Sequence, residues 1–230
     1  MSQKFTVLFD LDGTLVDTAP DLMVAHNHVM KKFGYEERGF SDIKKLAGAG
    51  SRAMLKKSIH AIAELSGKIK KTDEKIEEEM TKEFINFYSK NINNKSKLIT
   101  GAFEFLNWCK NNSISMAVCT NKQEHLAVDL LKKIKIYDFF EFVAGGNTFE
   151  YCKPDPRHLT NIIEILGGDI KKSIMIGDSE NDADAAKLAS IPMILLKDGY
   201  TEKKVEQIYH NHLIENFVGI EKIISSYLNG

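Results

Sequence analysis

The chain has 230 residues, of which 43% are hydrophobic and 27% are charged, and its formal net charge is −1. This length allows one large domain, or a core domain with a smaller insertion. The balanced charge excludes a global field for nucleic acid or a membrane surface, and no apolar stretch approaches the roughly 18 residues that a transmembrane helix needs. Three scattered cysteines are too few for a disulfide framework, so we expect a cytoplasmic protein with reduced thiols.

The first predicted element is a buried strand, Phe5–Phe9, that runs directly into two acidic residues. Asp10 and Asp12 are two positions apart, so on an extended chain their side chains project to the same side. Gly13 permits a sharp exit from the strand, and Thr14 supplies a hydroxyl beside it. The pattern predicts a paired-acid site at the carboxyl end of a strand, where open α/β sheets bind their ligands.

A long helical stretch follows the acidic strand, between Val16 and about Leu98. An interruption of this length, directly after a strand of an α/β pattern, indicates an inserted domain. We expect residues 1–16 and 93–230 to form the core and residues 17–92 to form a helical cap. The predicted cap helices are Leu22–Phe33, Ser41–Leu46, Arg52–Leu65 and Asp73–Tyr88.

Strands and helices alternate in the remainder of the chain. Strands at intervals filled by single helices indicate right-handed βαβ crossovers. The fold class is therefore expected to be α/β, with a Rossmann-like, doubly wound parallel sheet. The predicted strands are Ser115–Cys119, Phe142–Gly145, Ser173–Gly177 and Ile191–Leu196, and the helices are Ala102–Lys110, Gln123–Ile134, Pro156–Leu166 and Asn181–Ala189.

Polar clusters lie at or just beyond four of the predicted core strands. Because the carboxyl ends of parallel strands share one edge, the clusters are expected to converge on a single crevice. Carboxylates that converge there would repel one another without a cation, and an all-oxygen site suits Mg²⁺. With a lysine and a threonine added, the crevice is suited to a phosphoryl group. The clusters are Asp10/Asp12, Thr120-Asn121, Lys153-Pro154 and Asp178 with Asp182.

These residues resemble the four ordered motifs of the haloacid-dehalogenase-like hydrolases. The matching segments are Phe9–Leu15, Thr120-Asn121, Lys153-Pro154 and Gly177–Asp182, and their order and spacing agree over nearly the whole chain. The helical insertion resembles the cap of that superfamily. More narrowly, the chain resembles the bacterial phosphoglycolate phosphatases in the segments Val118–Lys122, Gly145–Phe149, Lys153–Pro156 and Gly177–Ser179.

The resemblance implies a role for each motif residue. Asp10 would attack phosphorus to form an aspartyl-phosphate, and Asp12 would act as the acid and base. Thr120 would hold the transferring oxygens, with Lys153 neutralising charge. Asp10, Asp178 and the backbone carbonyl of Asp12 would bind Mg²⁺. Asp182 would support the site by orienting water or Lys153. Thr14 and Asn121 would be among the substrate-binding residues.

The cap offers a candidate for substrate selection. Gly50 and Ser51 form the start of a helix whose free N–H groups suit an anion, and Arg52 could grip a carboxylate with two hydrogen bonds. Arg52 could equally be a solvated helix residue. Lys122, after the second motif, could reach the leaving group or simply begin a helix.

The expected activity is Mg²⁺-dependent hydrolysis of a small phosphate monoester, with 2-phosphoglycolate as the first candidate. The same machinery could act on N-acetylmuramate 6-phosphate, a nucleotide or pyrophosphate. A mutase similar to β-phosphoglucomutase is an alternative, as is a catalytically inactive binding module. Dehalogenase and phosphonatase chemistry is disfavoured because the family pattern for those reactions lacks an acid at the position of Asp12. We expect no nucleic-acid or membrane partner, and either a monomer or a homodimer.

Overall fold

The computed structural model describes residues 4–47, 50–66, 74–201 and 203–228. Asp73, the expected start of the fourth cap helix, lies outside these ranges. In chain order the strands are β1 (Thr6–Phe9), β2 (Val16–Asp17), β3 (Lys97–Leu98), β4 (Ser115–Cys119), β5 (Phe142–Ala144), β6 (Ser173–Gly177), β7 (Met193–Leu196) and β8 (His212–Ile214). The helices are α1 (Ala19–Lys32), α2 (Phe40–Ala47), α3 (Ser51–Ser66), α4 (Glu74–Lys90), α5 (Ala102–Asn111), α6 (Glu124–Lys133), α7 (Arg157–Ile165), α8 (Glu180–Leu188) and α9 (Glu221–Leu228).

A parallel six-stranded sheet forms the centre of the molecule, in the order β5-β4-β1-β6-β7-β8. Side chains alternate across it, as the two-residue period of a strand requires. Val7 and Phe9 pack on one face with Phe105 of α5, whereas Leu8 packs on the other with Leu159 of α7. Helices thus cover both faces, and the predicted doubly wound α/β fold is confirmed.

The differences from the predicted elements lie at ends and edges. Helix α1 begins at Ala19, three residues earlier than expected, because Pro20 fits the first turn of a helix. The last predicted strand begins at Met193 rather than Ile191, and Pro192 has no N–H to donate to a ladder. Strand β8 was not predicted, since three residues at a sheet edge carry little periodicity.

The chain leaves and re-enters the sheet region at one antiparallel pair. Val16 of β2 pairs with Leu98 of β3, and Asp17 pairs with Lys97. Between these two short strands, helices α1 to α4 pack against one another. Near the return point, the buried carboxylate of Asp21 accepts hydrogen bonds from the backbone N–H groups of Lys95 and Ser96. In the ranges that the structure describes, no helix is long and apolar enough to cross a membrane.

Candidate active site

The motif residues from separate strands meet at the carboxyl edge of the sheet. Asp10 directly follows β1, and its N–H continues the ladder by donating to the carbonyl of Ile176 on β6. Thr120 directly follows β4, and Asp178 directly follows β6. Because β4 and β6 flank β1, these residues lie on three adjacent strands. The predicted convergence at this edge is therefore observed.

Lys153 lies at the centre of the site, almost fully buried. Its ammonium group donates to Asp10 Oδ1 at 2.8 Å, to a carboxylate oxygen of Asp182 and to the carbonyl of Cys119. Burial disfavours the charge on Lys153, but the carboxylates of Asp10 and Asp182 outweigh burial and raise the lysine pKa above its usual range. Lys153 is thus held as a permanent cation against Asp10.

The carboxylates of Asp10, Asp178 and Asp182 form a buried acidic cluster. One oxygen from each lies within 4.8 Å of the others. Burial raises the pKa of Asp10 to about 6, against the opposing charge of Lys153. Burial, reinforced by the charge of Asp10, also raises the pKa of Asp178. A divalent cation bound between these carboxylates would favour their ionised form and would offset the effect of burial.

The hydrogen bonds that Asp178 and Asp182 accept differ in number, and this difference indicates which carboxylate can bind a metal ion. Asp182 caps α8, where its Oδ2 accepts from the Ser179 N–H and hydroxyl, and its Oδ1 accepts from Lys153. Asp182 therefore has few lone pairs left for a metal ion. Asp178 accepts one hydrogen bond on each oxygen, from Thr14 Oγ1 at 2.8 Å and from the Tyr200 N–H at 2.6 Å. Asp10 and Asp178 thus fit a hard divalent cation that binds oxygen.

Asp12 lies in a separate ion pair beside this cluster. Both of its oxygens accept from Lys122 Nζ at 2.8 Å, and Oδ1 also accepts from Thr18 Oγ1 at 2.7 Å. The same Lys122 Nζ lies 4.6 Å from the centre of the Tyr88 ring. The carboxylate of Asp12 is therefore outside the acidic cluster, while the predicted role of its backbone carbonyl remains a prediction.

Asp10 and Asp12 both line one cavity, which lies between the sheet edge and the helices α1 to α4. The core contributes Asp10, Asp12, Thr120, Asn121, Lys122, Gln123 and Leu126 to its lining. The helices and their connections contribute Leu22, Ala47, Gly50, Ser51, Met54, Phe84 and Tyr88. A ligand in this cavity would contact the sheet edge on one side and the helices on the other.

The structure brings most predicted substrate residues to this cavity, with two exceptions. Thr14 is fully buried beneath Asp178 and bonds to it, so it supports a carboxylate instead of lining the cavity. The Arg52 guanidinium pairs with the exposed Glu74 at 3.4 Å and borders an adjoining groove. Asn121 lines the cavity and donates to the Lys153 carbonyl at 2.9 Å, which joins the second and third motifs.

Three buried residues near the site were not singled out from the sequence as site residues. Tyr88 of α4 lines the cavity, and Tyr200 bonds to Asp178 through its backbone. The Tyr200 hydroxyl also donates to Asp17 Oδ1 at 2.6 Å and accepts from the Ala19 N–H at 2.7 Å. His158 of α7 is fully buried, and its Nδ1 accepts from the Lys153 N–H. None of the three lies in a motif.

Comparison with known proteins identifies the class to which this fold and site belong. A model of the haloacid dehalogenase-like hydrolase family matches residues 7–196, and the chain therefore belongs to that family. A phosphoglycolate phosphatase of Agrobacterium fabrum is 37% identical over 223 residues, covering 95% of this chain and 93% of the relative.

Solved structures give the same fold. A structure described as a predicted phosphoglycolate phosphatase from Haemophilus somnus has a TM-score of 0.89 at 26% identity, covering 97% of this chain and 99% of that one. A β-phosphoglucomutase from Clostridium difficile has a TM-score of 0.76 at 21% identity and covers 98% of each chain. At that level of identity the mutase supports the fold alone.

Proposed function

We propose that this protein is a Mg²⁺-dependent phosphatase that hydrolyses 2-phosphoglycolate through an aspartyl-phosphate on Asp10. The observation that carries the proposal is the contact between Asp10 and the buried Lys153. Asp178 lies at the same edge of the sheet, and Asp10 and Asp12 line one cavity. A carboxylate nucleophile, a fixed cation, a second acid and a cation pocket are the parts that phosphoryl transfer needs.

The metal ion would be held by Asp10, Asp178 and the backbone carbonyl of Asp12. When bound, Mg²⁺ would neutralise charge on the phosphoryl oxygens and would favour the ionised form of the Asp10 and Asp178 carboxylates. Asp182 would keep Lys153 in place, since its own oxygens are occupied by Lys153 and by the start of α8. Thr120 and Asn121 would contact the phosphoryl group from the second motif.

Turnover would proceed in two displacements. In the first, a carboxylate oxygen of Asp10 forms a bond to phosphorus, the bond from phosphorus to the ester oxygen breaks, and Asp12, in its protonated form, gives its proton to the departing alkoxide. In the second, water attacks the phosphorus, Asp12 takes a proton from that water, and the bond from phosphorus to Asp10 breaks to release phosphate. Thr18 and Lys122 hold the Asp12 carboxylate for both steps.

The choice of 2-phosphoglycolate is supported by the names of the relatives with the highest identity among those described above. Other phosphate esters, or transfer of the phosphoryl group to a sugar, are the competing possibilities. We further propose that residues 17–92 form a cap that contacts the leaving group, because helices from this segment supply half of the cavity lining. The unpaired cysteines are consistent with a cytoplasmic location.

Phosphate release from a panel of esters, measured with and without Mg²⁺, tests the proposal. We expect Mg²⁺-dependent release from 2-phosphoglycolate with a higher kcat/KM than from N-acetylmuramate 6-phosphate, nucleotides or pyrophosphate. Glucose 6-phosphate formed from β-glucose 1-phosphate without net release would indicate a mutase. No hydrolysis across the panel would contradict the assignment.

A further inference from the structure

The hydroxyl of Tyr88 is a buried polar group without a hydrogen-bond partner among the described residues. Tyr88 is fully buried, and a buried donor that makes no bond destabilises the folded chain. The residue is not loosely placed, since its ring stacks on Phe84 with centroids 5.7 Å apart and an interplanar angle of 19°. A fixed and unsatisfied donor needs an explanation other than packing.

The position of Tyr88 supplies that explanation. The residue lines the same cavity as Asp10 and Asp12, on the side formed by the helices. Burial and the nearby charge of Asp12 raise the pKa of Tyr88 well above its ordinary value, so the hydroxyl keeps its proton and remains a donor. A ligand in the cavity that brings an oxygen acceptor could take the hydrogen bond that the protein leaves unmade.

The charges around Tyr88 favour an anionic acceptor. Asp12 alone would repel a carboxylate, but Lys122 pairs with both oxygens of Asp12 and places its ammonium 4.6 Å from the centre of the Tyr88 ring. The pair is close to neutral as a whole, and the cation lies on the tyrosine side. A leaving group with a carboxylate would meet a hydroxyl donor and a cation here instead of a bare carboxylate.

We propose that Tyr88 is a specificity-determining residue whose hydroxyl donates a hydrogen bond to the carboxylate of the substrate's leaving group. The inference rests on the proposed phosphatase function and deepens it, because it assigns selection of the leaving group to α4. The proposal assigns recognition of the substrate carboxylate to Tyr88, which lines the cavity, instead of to the exposed Arg52.

The test compares wild type and Tyr88→Phe on two esters that differ only at the acceptor, 2-phosphoglycolate and ethyl phosphate. We expect the ratio of their kcat/KM values to fall about tenfold in the variant, since one hydrogen bond to a charged group is lost. A ratio that does not change, whether both kcat/KM values stay the same or fall equally, would overturn the inference and leave the phosphatase assignment intact. A wild type that hydrolyses neither ester would contradict the proposed function itself.

Thermal unfolding of the ligand-free protein provides a readout that is independent of activity. Tyr200→Phe is the matched control, because the Tyr200 hydroxyl has two partners, Asp17 and Ala19. We expect Tyr200→Phe to lower Tm and Tyr88→Phe to leave Tm equal or higher, since it removes an unsatisfied group. A loss of stability in Tyr88→Phe as large as in the control would assign the hydroxyl a structural role and overturn the inference.

Discussion

Lys153 and Asp182 form an ion pair in which both side chains are almost completely withdrawn from water, at 2% and 1% exposed. The pair is joined by Asp10, which also binds the Lys153 ammonium. A buried pair of this kind is costly to break, because removing one partner leaves the other charge unpaired.

Replacing the cation tests this dependence. We expect Lys153→Met to abolish turnover and to lower the free energy of unfolding by about 3–5 kcal/mol, because Asp10 and Asp182 lose their buried partner. Urea denaturation measures the loss, and added Mg²⁺ should recover part of it by supplying positive charge. The control is Lys197→Met, whose exposed pair with Glu215 at 3.7 Å should contribute little. Equal losses in the two variants would contradict the central position of Lys153.

Removing the nucleophile should stop catalysis while preserving the fold. We expect Asp10→Asn to lower kcat by at least about 10³-fold, because an amide does not form the phosphoenzyme. Acid-quenched phosphate incorporation should detect a covalent intermediate in wild type and none in the variant. Asp184→Asn, on the exposed face of α8, controls for the loss of a carboxylate. If Asp10→Asn retained most of its activity, Asp10 would not be the nucleophile.

Replacing Arg52 tests the expectation, drawn from the sequence, that its guanidinium binds the substrate carboxylate. Since its side chain is 52% exposed and its guanidinium pairs with Glu74, we expect Arg52→Ala to change KM by less than about threefold and equally for 2-phosphoglycolate and ethyl phosphate. Steady-state kinetics measure both values. Lys56→Ala removes a cation of equal exposure from the same groove and serves as the control. A rise in KM confined to the carboxylated ester would return the carboxylate-binding role to Arg52.

His158 should make the folded protein sensitive to acid. Burial, followed by the charge of Lys153, lowers its pKa from the ordinary 6.5 to about 3. Below pH 6.5 the unfolded chain therefore binds a proton at this residue that the folded chain does not, so the stability contribution of His158 is complete above pH 6.5 and is lost as pH drops toward about 3, by at most about 1.4 kcal/mol per pH unit. The buried His26, whose pKa is also lowered by burial, adds in the same direction. Asp10 and Asp178 act in the opposite direction, because burial raises their pKa values and the folded chain binds their protons first.

Urea denaturation between pH 4 and 8 measures this effect. His158→Asn should remove this residue's part of the pH dependence of the unfolding free energy, since the proton-binding group is gone from both states, so the wild-type and variant curves should diverge below pH 6.5. His125→Asn, at an exposed position on α6, should leave the wild-type dependence in place. Parallel curves for wild type and His158→Asn would show that His158 does not account for acid sensitivity.

The main features of the core were accessible from the sequence because they follow from local patterns and one topological rule. Asp10, Thr120 and Asp178 each come directly after an apolar run, and parallel strands place such residues at one edge. The positions of the motif residues therefore followed once the runs were interpreted as strands.

The remaining site residues depend on packing that no spacing encodes. Tyr88 lies four residues after Phe84 on α4, a spacing that equally describes two aromatic residues in a core. Tyr200 bonds to Asp178 through its backbone N–H, and any residue except proline could donate that bond, so the sequence does not indicate it. Arg52 stands at the start of a helix as expected, but the direction of its side chain is set by Glu74 on a different helix.

The pairing of β2 with β3 has a consequence for how such a molecule can diversify. Val16 and Leu98 face each other across one ladder, so the intervening helices begin and end at neighbouring points. Excising them and joining the two short strands by a tight turn would remove no strand from the parallel sheet. On the proposed function, lineages could therefore exchange this helical segment, and with it one side of the cavity, while keeping Asp10 and Asp178 at the sheet edge.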